Sequence, residues 1–149
     1  MIPVLISAFF FQRAAILSDP TYQELSKLVG GNWTSHPDAD TLIRQHFEFG
    51  VEGKVIRGTG SVEVKGKTVM YIHSNLGWDP IAKKVTYVDF HNHDTIYMGH
   101  IVLKNGWLEY DFNEFADPKK HYEAKSRIVD ANHYEFTVGK EVLTMERMK

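Results

Sequence analysis

After Gly31 the sequence becomes a continuous series of short segments in which apolar and polar residues alternate, each ended by residues typical of turns. This pattern predicts ten strands. Their approximate bounds are residues 33–36, 42–49, 54–64, 68–78, 84–91, 95–103, 107–115, 121–129, 133–138 and 141–147. Asn105 and Gly106 form the strongest turn signal, because both residues tolerate the positive φ of a tight hairpin. No link reaches the dozen or so residues of a parallel crossover, so consecutive strands are expected to run antiparallel.

A single sheet of this many strands normally curls, and closure removes its exposed edges. We therefore predict an all-β fold, an antiparallel up-and-down barrel of about 8–10 strands with one short N-terminal helix. The alternative is a two-sheet sandwich, but its Greek-key connections would need at least one longer link than the sequence contains.

One helix is predicted before the strands, over residues 20–29. Asp19 supplies a capping oxygen, and Pro20 suits the first helical position. Apolar residues then recur at helical spacing, and Gly30 and Gly31 end the helix. The apolar positions are Tyr22, Leu25, Leu28 and Val29.

The length of 149 residues allows one domain, which we place at residues 19–149. Residues 1–18 form an apolar N-terminal segment. The run from Ile2 to Phe11 is too short for a transmembrane helix but fits the apolar part of a signal sequence, with Ala14 and Ala15 near a cleavage point. In that case the protein is exported or periplasmic. Because no Lys or Arg precedes the run, the alternative is a segment docked on a cytoplasmic domain.

Composition excludes several classes of site. The chain has 17 basic and 19 acidic residues, a balance that argues against a nucleic-acid-binding protein. It has no cysteine, which rules out disulfides, thiolate metal sites and cysteine nucleophiles. Nothing in the pattern indicates an oligomeric state.

Residues of the first and last predicted strands resemble those of a known superfamily. Gly31, Asn32 and Trp33, placed after a short helix, resemble the Gly-x-Trp signature of the calycins, which include lipocalins and fatty-acid-binding proteins. In that group the tryptophan stacks against an arginine of the last strand, and Arg147 stands at that position. The resemblance implies a ligand-binding barrel whose end is closed by Trp33 and Arg147.

The wider pattern is similar to a lipocalin-like bacterial family of uncharacterised function. It comprises a helix ending at Leu28, Val29 and Gly30, the Gly-x-Trp motif, a hairpin at residues 77–84, Tyr87, a turn at Asp94, Gly99 and a terminal arginine. The similarity spans residues 22–148.

The strands between residues 68 and 103 carry polar and aromatic residues on both faces, a mixture typical of a small-molecule pocket. We therefore expect a non-catalytic barrel that holds a small apolar or amphipathic molecule. The residues predicted to bind it are Tyr71, His73, Phe90, His91, Tyr97, His100, Tyr110 and Phe112.

The histidines leave alternatives open. His91 and His93 could hold a metal ion with His100 or Asp89, although two surface histidines at a turn are the commoner outcome, so no metal is predicted. Haem could be ligated by a barrel histidine, as in the lipocalin-like nitrobindins, but no motif selects one of the candidates, and no cofactor is predicted. Those candidates are His73, His91, His100 and His133.

Two further functions remain alternatives to a binding barrel. An enzyme could use a pocket histidine as a general base, which would require two or more polar groups within hydrogen-bond reach inside the pocket. A barrel filled by its own side chains would act through its surface instead.

Overall fold

The computed structural model describes residues 18–148; the apolar segment predicted at the N-terminus therefore lies outside the described residues, except for Ser18. One helix, α1, covers Pro20–Ser26, and a 3₁₀ turn covers Val51–Gly53. The strands are β1 (Asn32–Ser35), β2 (Thr41–Phe49), β3 (Val55–Val64), β4 (Lys67–Asp79), β5 (Lys84–His91), β6 (Ile96–Lys104), β7 (Trp107–Glu114), β8 (His121–Ile128), β9 (His133–Val138) and β10 (Glu141–Arg147).

The ten strands form one closed antiparallel barrel in which each strand pairs with its neighbours in sequence. β1 closes the ring by pairing with β10, where Trp33 stands opposite Arg147. The prediction of an all-β up-and-down barrel is confirmed, and the sandwich alternative is wrong, because a closed ring leaves no second sheet. The β6–β7 turn uses Asn105 and Gly106 with φ of 52° and 79°, as a two-residue hairpin requires.

Helix α1 is shorter than predicted and ends at Ser26 rather than near residue 29. The next residues continue as turns, because the amides of Lys27 and Leu28 bond to carbonyls three residues earlier and tighten the chain. At the other end the Asp19 carboxylate accepts from the Tyr22 amide at 3.0 Å, as predicted for a cap.

The hydrophobic core lies at the barrel end that carries α1. Tyr22, Leu25 and Leu28 on and just after the helix are buried against inward-facing residues of the strands. The Leu103 amide also donates to the Thr21 hydroxyl at 3.0 Å, which ties α1 to β6. The strand residues of this core are Trp33, Ile56, Leu76, Val85, Ile101, Leu108, Tyr134 and Met145. The helix therefore plugs one end, and the opposite end is left for a cavity.

Among residues 18–148, no helix has the length and apolar character needed to span a membrane.

Candidate functional site

A cavity of about 780 Å³ occupies the barrel interior beyond the core. Leu28, Leu76 and Tyr134 belong both to the core and to the cavity lining, so they form its floor. The Tyr134 hydroxyl donates to the Gln45 side-chain carbonyl, which fixes both groups at the cavity wall. The volume falls within the range of about 300–1,000 Å³ usual for small-molecule pockets. The barrel is therefore not filled by its own side chains.

One side of the cavity, on β5–β9, is formed by six aromatic side chains that we call the aromatic wall. Most neighbouring rings meet edge to face, for example Tyr97 and Phe112 with centroids 5.7 Å apart, whereas Phe112 and Tyr122 are stacked. The members are Tyr87, Tyr97, Tyr110, Phe112, Tyr122 and Phe136. Contacts of this kind hold each ring in place and present rigid aromatic surface to the interior.

The opposite side, on β2–β4, is lined by smaller and more flexible residues. Met70, Ile72 and Ser74 face the cavity from β4, and Phe47 faces it from β2. Between them β3 contributes glycines at inward positions, so side chains are missing where a regular barrel would have them. At Gly60 an added Cβ would meet only ordinary contacts, the nearest at 3.6 Å. The space at this position is therefore part of the cavity.

The main polar group inside the cavity is the Asp89 carboxylate, only 5% exposed. Its Oδ2 accepts from the Tyr87 hydroxyl and lies 3.5 Å from Nε2 of His91. Its Oδ1 is buried and has no hydrogen-bond partner within the described part of the chain. Burial, reinforced by the charge of Asp89, raises the pKa of Tyr87 far above its ordinary value. Tyr87 therefore remains a neutral donor to the carboxylate.

The cavity opens where β8 begins. β8 pairs with β9 only from Ala124 onward, so residues 121–123 precede the pairing. His121, Tyr122 and Glu123 are exposed and line the cavity together with Gly139 of the β9–β10 turn. These residues form the mouth of the cavity.

Four of the eight predicted binding residues line the cavity: His91, Tyr97, Tyr110 and Phe112. The other four have their side chains on the outer face of the barrel and are not part of the wall. Tyr71 and Phe90 are about half exposed, at 53% and 44%, His73 is exposed, and His100 lies 3.7 Å from Asp79 outside the barrel.

Strand alternation explains these outer positions. Phe90 and His91 are consecutive, so they cannot both face inward, and His91 is the one that does. On β4 the inward set contains Met70 and Ile72, which sends Tyr71 and His73 outward.

The histidines considered as metal or haem ligands do not form a cluster. His93 lies in an exposed turn, and His100 is outside the barrel, so neither reaches His91. His133 is held at 2.9 Å by Asp130 at the barrel surface. The structure shows no group of three or more His, Asp or Glu side chains that could hold a metal ion anywhere in residues 18–148.

Several lining residues are not among the residues predicted from the sequence to bind a ligand. Asp89 entered only as a possible metal ligand, and Tyr87, Tyr122 and Phe136 were not proposed as liners. Residues two positions apart on a strand share a face, which places Tyr87 and Asp89 with His91 and Phe136 with Tyr134. Tyr122 stands opposite Phe112 on the neighbouring strand and therefore shares its face. These relationships were the signal that could have placed them inside.

No protein-family model matches this chain, and no curated protein is significantly similar to it.

Proposed function

We propose that the protein is a non-catalytic binding protein that holds a small apolar or amphipathic molecule inside its barrel. The proposal also keeps the lipocalin-like assignment that the Gly-x-Trp motif and Arg147 suggest. The observation that carries it is the cavity of about 780 Å³, with a rigid aromatic wall on one side and a wall that includes Met70, Ile72 and two glycines on the other. Transfer of apolar surface from water into such a space supplies the binding energy.

Gly60 offers a direct test because a larger side chain there fills the cavity without a backbone clash. The purified protein should bind the neutral hydrophobic dye Nile red with increased dye emission. The Gly60→Leu variant should bind it at least about tenfold more weakly, since a buried leucine occupies the space of several ligand carbons.

The matched control is Ser61→Leu, which adds the same bulk at the next position, opposite the outward Tyr71. It should bind Nile red as the unmodified protein does. Absence of dye binding, or equal weakening by both variants, would overturn the proposed function.

A second function is favoured by the meeting of Tyr87, Asp89 and His91 inside the cavity. In an enzyme, His91 would act as a general base oriented by Asp89. Incubation with a library of amphipathic small molecules followed by mass spectrometry separates the two functions. A binding protein returns molecules of unchanged mass, whereas an enzyme generates a new mass whose formation stops in the His91→Phe variant.

A further inference from the structure

One oxygen of the buried Asp89 carboxylate has no hydrogen-bond donor within the described residues. Oδ2 has the Tyr87 hydroxyl, but Oδ1 has no hydrogen-bond donor within residues 18–148 although Asp89 is 95% buried. A buried carboxylate with an unsatisfied oxygen is costly unless a donor or a positive charge reaches it. Since Asp89 lines the cavity, a cation bound there can place its positive charge beside the carboxylate.

The rest of the cavity lining carries no permanent positive charge. Asp89 is the carboxylate inside it, the Glu123 side chain belongs to the outer face with its paired residue Asp111, and no Lys or Arg is among the described lining residues. The other charged or titratable groups there, besides tyrosines, are two histidines. His91 faces Asp89, and Nε2 of His121 lies 2.9 Å from the Asp111 carboxylate on the outer side. The cavity therefore offers an anionic ligand no permanent positive charge, whereas a cation finds the buried carboxylate of Asp89.

The aromatic wall adds a second attraction for a cation. Tyr97 stands next to Asp89 across the β5–β6 pairing, and its ring contacts both His91 and Phe112. The faces of such rings carry negative potential and attract ammonium groups, more strongly when water is excluded. The carboxylate and these rings lie on the same side of the cavity.

We propose that the ligand is an organic cation, an apolar molecule with a protonated amine that pairs with the Asp89 carboxylate. This inference rests on the proposed binding function and specifies the class of molecule bound. The apolar body occupies the space toward Met70, Ile72 and Gly60, and the ammonium group lies against Asp89 and the aromatic wall.

Three probes with one apolar body and different head groups test the proposal: 3-phenylpropylamine, 3-phenylpropan-1-ol and 3-phenylpropanoate. Each is used to displace Nile red from the full chain near neutral pH, where the amine is protonated. The amine should displace the dye at a concentration about tenfold or more below that of the alcohol, because its hydrogen bond to a carboxylate is charge-assisted. The carboxylate should be the weakest of the three.

The Asp89→Asn variant should lose the preference for the amine while its affinity for the alcohol stays within about threefold. The Asp111→Asn variant removes the same charge from the outer face and should retain the preference. Equal displacement by amine and alcohol in the unmodified protein, or a preference that survives Asp89→Asn, would overturn the inference.

The outcomes also separate this inference from the proposed function. Dye binding with no preference for the amine contradicts the inference alone, whereas failure of the dye to bind contradicts both. The selectivity of the unmodified protein is measured first, so it decides the question even if the Asp89→Asn variant does not fold.

Discussion

The Arg147 guanidinium lies 4.5 Å from the centre of the Trp33 ring, and both side chains bond to the chain that follows α1. Arg147 Nη2 donates to the Lys27 carbonyl at 2.9 Å, and Trp33 Nε1 donates to the Leu28 carbonyl at 3.0 Å. These carbonyls lie just after the helix, where the helix itself supplies no donor. Trp33 and Arg147 therefore supply hydrogen-bond donors to the carbonyls just after α1. They hold this part of the chain against the barrel and close that end of the barrel.

Replacement of Trp33 by Ala should lower the free energy of unfolding by about 3–5 kcal/mol. The side chain is 1% exposed, so its removal leaves a large cavity, an unsatisfied Leu28 carbonyl and an Arg147 guanidinium without its ring contact. Denaturant titration measures the loss. A loss under about 1 kcal/mol would show that the tryptophan does not close the barrel.

Trp107 provides the matched control for that substitution. It also stacks with an arginine, with the Arg127 guanidinium 4.6 Å from its ring, but on the outer face. Trp107→Ala should cost less than about 1.5 kcal/mol, as expected for a contact exposed to water.

Gly99→Ala should destabilise the barrel by at least about 2 kcal/mol. A Cβ at Gly99 would lie 1.9 Å from the Asp111 carbonyl oxygen and 2.5 Å from the Phe112 Cα, so β6 and β7 would have to separate. Gly77→Ala is the control, because its nearest neighbour would be 3.9 Å away. The control should stay within about 0.5 kcal/mol of the unmodified protein in urea titrations. Equal losses in the two variants would contradict the close approach of β6 and β7.

Stability should fall in alkaline solution because the barrel buries tyrosines. Burial raises the pKa of Tyr110 to about 12, while its hydrogen bond to Ser126 opposes the shift, and burial also raises the pKa of Tyr134. Unfolded tyrosines lose their protons near pH 10, so between about pH 10 and 12 the folded state binds more protons than the unfolded state. The free energy of unfolding then falls by roughly 1.4 kcal/mol per pH unit for each such phenol.

Urea titrations between about pH 9 and 12 measure this slope. In the Tyr110→Phe variant the free energy of unfolding should fall less steeply with pH, by roughly 1.4 kcal/mol per pH unit, because one buried phenol is removed. An unchanged slope would show that Tyr110 ionises in the folded barrel as it does in the unfolded chain.

The fold could be predicted from the sequence because its determinants are local. Turn residues such as Asn105 and Gly106 divide the chain, and short links force antiparallel pairing. Alternation in β7 and β8 is unambiguous, since charged residues such as Glu109 and Lys125 alternate with apolar ones. The end of α1 was less predictable, because the Leu28 carbonyl accepts from the Trp33 ring nitrogen, a contact that the local pattern of residues 20–29 does not contain.

The candidate site was half predicted because β4–β6 carry aromatic and polar residues on both faces, so composition does not show which face is inside. The two-residue turn at Asn105 and Gly106 could have shown which face of β6 is inside. A two-residue turn fixes the register, which places Gly99 opposite the inward Phe112 and Tyr97 on the same face. His100 is thereby assigned to the outer face. The loop from β5 to β6 is longer and does not fix the register in this way, so Phe90 could not be excluded by the same argument.

The most direct test of the account is an NMR measurement of where a ligand lies in the folded protein. With methyl groups of Met and Ile labelled, bound Nile red should give intermolecular nuclear Overhauser effects to Met70 and Ile72, which line the cavity. Met98, 40% exposed on the outer face, and Ile81, 93% exposed in a loop, should give none. Contacts to Met98 without contacts to Met70 and Ile72 would show that the dye binds outside the barrel and would contradict an interior binding site.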